Sequence, residues 1–354
     1  MRVVAVISGG PSREHDVSAA SGRRVLDGLD RRRYRPLPVL IDRDGSWLVD
    51  GRRMGGPLEG ASALHEAGCE VVFLALHGPF GEDGTIQGFL AAAGLAYTCA
   101  GVLASALACD KIRARALVAA EGIPVARAVT IPPASLEEAA ATLGFPIFVK
   151  NPHEGSSLGL ALVRDEPSLA LAVEELAAGC DRLLLEARVE GRELTGSVLE
   201  NAHGEIEALP VVEIRHAGAF FDYHAKYTPQ ACEELVPAPV PARVAEEVQR
   251  QSRRVHALLG LRGMSRSDFI WSEREGIVFL ETNSIPGLTP NSLLPRAAAA
   301  AGIAFPELLT RLVEGAARPG HGARMAGAWS ASSPRSGERS TGSSTAPTAG
   351  KSSS

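Results

Sequence analysis

The sequence predicts an α/β chain: an N-terminal parallel α/β domain, a further α/β unit in two parts, and a disordered C-terminal tail. Three observations carry this reading. Short apolar runs alternate with longer helical stretches through the first hundred residues, the pattern of strands buried beneath helices. A second alternation starts near Asp110-Lys111 and continues to about residue 316. From about Ala317, Ser, Thr, Gly, Pro and Ala dominate and apolar periodicity stops. The boundaries read as 1–108, 109–190, 191–316 and 317–354.

Element by element, strands are predicted over 2–7, 35–41 and 71–76, with helices over 17–29 and 85–93. Val3-Val4-Ala5-Val6-Ile7 is far too short for a signal or membrane segment, and it ends in Ser8-Gly9-Gly10 as a first buried strand does. In the second unit a helix runs from Lys111 to Glu121, followed by strands over 147–150, 161–164 and 182–186 and a helix over 167–178. Beyond Gly191 come strands over 195–199 and 206–212, a polar loop over 213–235 and a long helix over 242–259. Two strands over 267–271 and 276–280 and two helices over 295–301 and 305–314 close the fold.

Bulk properties narrow the function. The net charge is −5, with 45% hydrophobic residues, so cores are affordable and no basic field invites nucleic acid or an anionic membrane. No stretch reaches membrane-spanning length. Five scattered cysteines contain no C-x-x-C pair, which argues against a disulfide framework or structural zinc and fits a reducing cytoplasm. Cys69, Cys99 and Cys109 sit among small or apolar residues and read as packing.

The chemistry starts at Glu281-Thr282-Asn283. Positions i and i+2 of a strand share a face, so Glu281 and Asn283 point the same way, and Asp268 on a neighbouring strand can join them. An all-oxygen set suits magnesium, which also takes phosphate oxygens. That points to a nucleotide-triphosphate enzyme; a solvated strand edge is the plainer reading of this segment alone. Arg266 shares the face of Asp268 and is either an oxyanion-stabilising cation or a salt-bridge partner.

Other segments carry further candidates. Ser8 to Ser18 joins the first strand to the first helix, where Glu14 either holds a ligand ammonium or complements the helix N-terminus. His77 follows a strand and precedes the glycine-rich run Gly78 to Gly88, which makes it a ligand-contact candidate. Lys150 ends a strand and opens the small-residue loop Asn151 to Leu160, suited to covering phosphates, and Lys111 offers a second cation. Lys226 and Tyr227 lie in the long loop and either close over a substrate or anchor the loop. Gly350-Lys351-Ser352 is no phosphate loop, because position 345 is Thr and no strand precedes it.

Five motifs then recur in one order: GGPSREHDVS, LHGPFGEDGTIQG, VKNPHEGSSLG, FFDYHAKY and LETNSIPGLTPNSLLP. Over about 1–316 the chain resembles the D-alanine–D-alanine ligase family of the ATP-grasp superfamily. The resemblance implies an N-terminal α/β domain followed by a two-subdomain ATP-grasp fold, and ATP-dependent ligation of two D-alanines through a D-alanyl phosphate, for peptidoglycan precursors. It implies that Lys111, Lys150 and Ser157 contact the phosphates, Glu186 and Val189 form the adenine hinge, and Glu193 holds the ribose. Asp268, Glu281 and Asn283 would bind two magnesium ions, with manganese an alternative. Glu14 would orient the first substrate's ammonium, in a triad with Ser156 and Tyr227. Arg266 and the Gly287 N–H would stabilise the oxyanion. Ser292, the Leu293 backbone and Lys226 would take the second carboxylate, with His77 nearby. A cytoplasmic homodimer acting on small molecules, without nucleic acid or membrane insertion, is also implied.

Three positions depart from the family pattern: Asn151, Ala187 and Asn291, of which Ala187 replaces a lysine that commonly contacts adenine. Family members making D-alanyl-D-lactate lack the tyrosine at 227, so Tyr227 favours an amine acceptor. The alternatives are a ligase of the same fold using another D-amino acid or D-hydroxy acid second, or a non-catalytic nucleotide-binding relative. A purine- or biotin-pathway carboxylase fits less well, because it lacks the Lys226-Tyr227 loop.

Overall fold

A computed structural model describes residues 1–154, 159–177, 180–201, 203–216 and 232–318. Three sheets organise them. The first contains β1 (Arg2–Gly9), β2 (Tyr34–Ile41), β3 (Trp47–Val49), β4 (Arg52–Met54) and β5 (Cys69–Leu74), in the order β4-β3-β2-β1-β5. β1 runs parallel to both β2 and β5, as its unbroken apolar run requires of a central strand covered on both faces. The sheet is not wholly parallel: β3 and β4 form an antiparallel hairpin on β2. Strands of three residues are too short to show alternation in sequence. Helices α1 (His15–Gly28), α2 (Pro57–Glu66) and α3 (Thr85–Ala92) complete this part.

The next segment opens with α4 (Val102–Cys109) and α5 (Lys111–Ala120). β6 (Ala128–Ile131), α6 (Leu136–Leu143), β7 (Ile147–Lys150), β8 (Leu160–Val163), α7 (Glu166–Leu176) and β9 (Leu183–Ala187) follow. Their sheet has the order β6-β9-β7-β8 with every pair antiparallel. Ile147, Val149, Val163 and Leu185 pack against Ala139, Leu143 and Leu169 of the two helices, giving this sheet its own core.

The third sheet contains β10 (Arg192–Glu200), β11 (Ile206–Ala208), β12 (Val212–His216), β13 (Cys232–Leu235), β14 (Met264–Ser272) and β15 (Gly276–Asn283). Its order is β13-β12-β10-β14-β15, with β11 on β10. Helix α8 (Ala242–Leu258) presents Val244, Val248 and Val255 to Leu194 and Phe269 in one shared core. The remaining helices, α9 (Leu293–Ala300) and α10 (Phe305–Ala316), share a core with β1 and β5. The apolar stripe of α10 is Leu308, Leu309, Leu312, Val313 and Ala316. The first and third sheets are therefore tied together by continuous apolar packing.

Two expectations change. The strand read over 206–212 breaks into β11 and β12, because Pro210 has no N–H for a ladder. The polar loop read over 213–235 is framed by an antiparallel pair, β12 with β13. Charged residues at Glu213, Arg215, Glu233 and Glu234 masked that edge hairpin. Ser156, Ser157, Lys226, Tyr227 and the tail from 319 lie outside the described residues. Cys69, Cys99, Cys109 and Cys180 are free, and burial pushes the Cys99 and Cys109 thiols up to about 12, so those two are inert packing. Among the described residues no helix is long and apolar enough to cross a membrane.

Candidate active site

The register of β14 and β15 builds the centre. Asp268 lies opposite Glu281 and Arg266 opposite Asn283, with a bulge between Asp268 and Phe269. Directly opposed residues on one face have Cβ atoms about 5 Å apart. Asp268 is buried and accepts three hydrogen bonds: from the Thr195 hydroxyl of β10 at 2.7 Å, from Arg266 Nε at 3.1 Å and from Arg266 Nη2 at 2.9 Å. Burial opposes the charge on Arg266, but Asp268 and Glu281 outweigh it and the guanidinium pKa is raised. The Asn283 Nδ2 and Ser284 Oγ atoms are buried without a hydrogen-bond partner.

Lys111, at the start of α5, reaches this face. Its Nζ lies 3.2 Å from Glu281 Oε2 and donates to the Glu154 carbonyl at 2.8 Å. Burial favours the neutral amine, yet the Glu281 charge prevails and raises its pKa. Lys111 therefore connects α5, the loop after β7 and β15. Lys150, at the end of β7, sits 2.5 Å from Glu186 Oε2 on β9. Arg115 contacts the other Glu186 oxygen at 3.2 Å. Val189 lies half-buried in the connection from β9 to β10, and Glu193 is half-buried on β10.

The glycine-rich loop before α3 adds a second group. Gly78 has φ +72°, and a Cβ there would sit 2.6 Å from Glu14 Oε2, so glycine lets the Glu14 carboxylate approach this loop. His77 is buried; its Nδ1 meets the Ile285 carbonyl at 3.1 Å and its Nε2 the Ser21 hydroxyl at 2.9 Å. Burial lowers its pKa, so the ring is neutral. A carbonyl only accepts, so Nδ1–H donates to Ile285 and Nε2 accepts from Ser21. The Glu82 carboxylate accepts from the Gly78 N–H at 2.9 Å and the Ile285 N–H at 3.1 Å.

After β15 the chain turns at Pro286-Gly287. A Cβ on Gly287 would come 2.7 Å from Ser292 Oγ, so these two residues touch. Ser292 is the N-cap of α9, but its hydroxyl pairs with Thr289 Oγ1 at 2.8 Å rather than capping the helix. Leu293 begins that helix, whose first N–H groups have no intrahelical acceptor and attract anions.

Of the residues the sequence proposed, Lys111, Asp268, Glu281, Arg266 and Asn283 thus converge on one face. Lys150 meets Glu186, and Gly287 meets Ser292. Sequence reasoning missed Thr195, Arg115, Glu82 and Ser21. Arg115 lies four residues after Lys111 on α5, a same-face spacing that offered a signal. The others owe their place to contacts across the fold.

The donor set suits magnesium. Among the described residues no cluster of three or more His, Cys, Asp or Glu side chains can hold a metal. Two opposed carboxylates and a carboxamide form the sparse oxygen set that this ion completes with water and phosphate. An open cleft adjoins them, lined by Gly78, Glu82, Lys111, Glu154, Glu281 and Asn283 among others.

An antiparallel sheet carrying a strand-end lysine, a larger sheet carrying opposed carboxylates, and a parallel α/β domain before both define an ATP-grasp fold. The family profile described as D-ala D-ala ligase C-terminus matches residues 117–314, and D-ala D-ala ligase N-terminus matches 3–58 and 56–100. The D-alanine–D-alanine ligase of Desulforudis audaxviator is 41% identical over 317 residues, 88% of this chain and 98% of that protein. The structure of the Bacillus anthracis D-alanine–D-alanine ligase complexed with ATP is 29% identical with TM-score 0.74, covering 89% of this chain and 96% of that one. The VanG D-Ala:D-Ser ligase of Enterococcus faecalis is 30% identical with TM-score 0.75, covering 89% and 99%. The chain belongs to the D-alanine–D-alanine ligase family.

Proposed function

We propose that this protein is an ADP-forming ligase that joins two D-alanines into D-alanyl-D-alanine through D-alanyl phosphate, supplying peptidoglycan precursors. The observation that carries the reading is the cross-strand register that opposes Asp268 to Glu281 and Arg266 to Asn283, with Lys111 on Glu281. That face has the donors for a metal–phosphate group, and the Gly287 turn follows directly on the same strand.

A carboxylate is a poor electrophile. The first D-alanine's carboxylate oxygen attacks the γ-phosphorus, ADP leaves, and an acyl phosphate forms. Lys111 and Lys150 hold the phosphates as point charges, exchanging their carboxylate partners for phosphate oxygens. Asp268, Glu281 and Asn283 would hold two magnesium ions, which when bound would supply charge neutralisation for the phosphates; manganese is an alternative. Glu186 and Val189 flank the adenine, Glu193 the ribose, and Ser157 the phosphates. Glu14 takes the first ammonium, with Ser156 and Tyr227 completing a triad across the domains.

The deprotonated amine of the second D-alanine then attacks the acyl carbon. Arg266 and the Gly287 N–H meet the oxygen that becomes negative. Collapse breaks the bond from acyl carbon to phosphate oxygen while the attacking nitrogen gives up one proton, releasing inorganic phosphate, that proton and the dipeptide. Ser292 and the Leu293 N–H, with Lys226, hold the second carboxylate, and His77 supports the same region. Shielding from water matters because an acyl phosphate hydrolyses readily. The protein works in the cytoplasm as a homodimer.

The test is mass spectrometry of products from ATP, magnesium and a panel of D-alanine, D-serine and D-lactate. D-alanyl-D-alanine as the dominant product at neutral pH supports the proposal. Comparable turnover with D-lactate overturns the amine preference assigned to Tyr227. No D-amino-acid-dependent phosphate release favours a non-catalytic relative.

A further inference from the structure

The turn Ile285-Pro286-Gly287-Leu288 belongs to no helix or strand, so no ladder fixes its backbone. Four side chains of the N-terminal α/β part fix it instead. At the first end, the Ile285 N–H donates to Glu82 at 3.1 Å and the Ile285 carbonyl accepts from His77 at 3.1 Å. At the second end, the Leu288 N–H donates to the Ser21 hydroxyl at 3.4 Å and the Leu288 carbonyl accepts from Arg24 Nη1 at 2.9 Å. Ser21 also bonds His77 at 2.9 Å, so the two ends are cross-linked. Glu82 is tied in turn to the Gly78 N–H. Arg24 is steadied by the Phe305 ring, 4.1 Å from its guanidinium carbon.

The pattern is selective. Both backbone polar groups of the residue before Pro286-Gly287 are taken, as are both of the residue after. Ile285 and Leu288 are themselves buried, and buried backbone groups need such partners. Pro286 has no N–H, so Gly287 carries the one N–H between the two held residues. Its direction is therefore set from sequence positions more than 200 residues away.

We infer that Ser21, Arg24 and Glu82 are positioning residues for acyl transfer, fixing with His77 the turn that aims the Gly287 N–H. This rests on the reading of Gly287 as an oxyanion donor. Such donors work only when held within about 0.5 Å, and a misplacement of about 1 Å costs on the order of 100-fold. Loosening the clamp should therefore slow peptide formation and leave phosphoryl transfer intact. The acyl phosphate then reacts with water, giving D-alanine and phosphate, so ADP is released without dipeptide.

The experiment measures ADP and dipeptide separately, at saturating ATP and D-alanine, for wild type, Arg24→Met, Arg24→Lys, Glu82→Gln and Ser21→Ala. Glu82→Gln is isosteric but leaves one of the two N–H groups facing an amide donor. Arg2→Met is the control: it breaks the contact of β1 with Glu314 on α10, away from the turn. The expected result for Arg24→Met and Glu82→Gln is a 10- to 100-fold fall in dipeptide kcat, an ATP KM within about twofold of wild type, and an ADP-to-dipeptide ratio above one. Arg24→Lys recovers part of the loss, and Arg2→Met keeps a ratio of one. Glu82→Gln and Ser21→Ala decide the matter if Arg24→Met does not fold. Folded variants with wild-type dipeptide kcat and a ratio of one overturn the inference. So do variants that lose ADP and dipeptide together while ATP KM rises. A wild-type protein that makes no dipeptide overturns the ligase reading itself.

Discussion

Replacing Arg266 with Met separates the two tasks given to this guanidinium. Arg266 makes a two-pronged pair with Asp268, at 3.1 and 2.9 Å, and both side chains are mostly buried, at 17% and 9% exposure. Breaking a buried pair from one side costs about 3–5 kcal/mol. The Thr195 hydroxyl still serves Asp268, so the lower end, about 3 kcal/mol, is expected, with a Tm fall on the order of 4–5 °C for a chain of this size. The chemical loss is separate: removing one oxyanion donor costs about 100- to 1000-fold in kcat. The assay is magnesium- and D-alanine-dependent ADP release with dipeptide quantified alongside. If Arg266 meets the oxyanion, saturating magnesium leaves the kcat loss in place. A kcat within about fivefold of wild type in the folded variant refutes the role. Full recovery at high magnesium refutes it also, and reduces Arg266 to a partner of Asp268.

Glu281→Gln should lower ADP release by about 1000-fold or more, because it removes a metal carboxylate and the counter-charge of Lys111, while circular dichroism shows an intact fold; near-normal turnover contradicts the metal assignment. Ser292→Ala should raise the KM for the second D-alanine by about 10-fold, from the loss of one hydrogen bond to a charged group, with the ATP KM unchanged. Equal effects on both D-alanine sites count against it. Glu314 supplies a pH test. Burial works to raise its pKa, but the Tyr34 hydroxyl and the Arg2 and Arg33 guanidiniums hold it below the ordinary 4.5. Its stabilisation is therefore present above about pH 4.5 and is lost as pH falls through the lower folded-state value. Urea midpoints of wild type and Glu314→Gln should differ at pH 7 and converge toward pH 3; a constant gap argues against the linkage.

What the sequence displayed was local. Period-2 spacing put Glu281 with Asn283 and Arg266 with Asp268, and the structure pairs those strands in the register that opposes them. Lys111 and Lys150 were visible because each sits at an element boundary, Lys111 beside Asp110 at a helix start and Lys150 at a strand end before a small-residue loop. Apolar runs located β1, β7 and β15, and the apolar stripes of α8 and α10 were clear. The β3–β4 hairpin was too short to show a period, and α4 is apolar and small all round, so it has no contrasting face to read. The hairpin of β12 and β13 was hidden by its charges. The partners of the site were the least legible. Ser21 and Leu288 are 267 positions apart, and nothing local to either announces the other. Glu82 stood in plain sight in a motif, and its bond from the Gly78 N–H is local, but its bond from the Ile285 N–H spans 203 positions and exists only once the chain has folded back on itself.

The most direct test of the ligase account is the stoichiometry of a single incubation of the purified chain with ATP, magnesium and D-alanine. A D-alanine–D-alanine ligase forms one ADP, one phosphate and one D-alanyl-D-alanine together, and no ADP when D-alanine is omitted. ADP release that ignores D-alanine, or that yields no dipeptide, contradicts it.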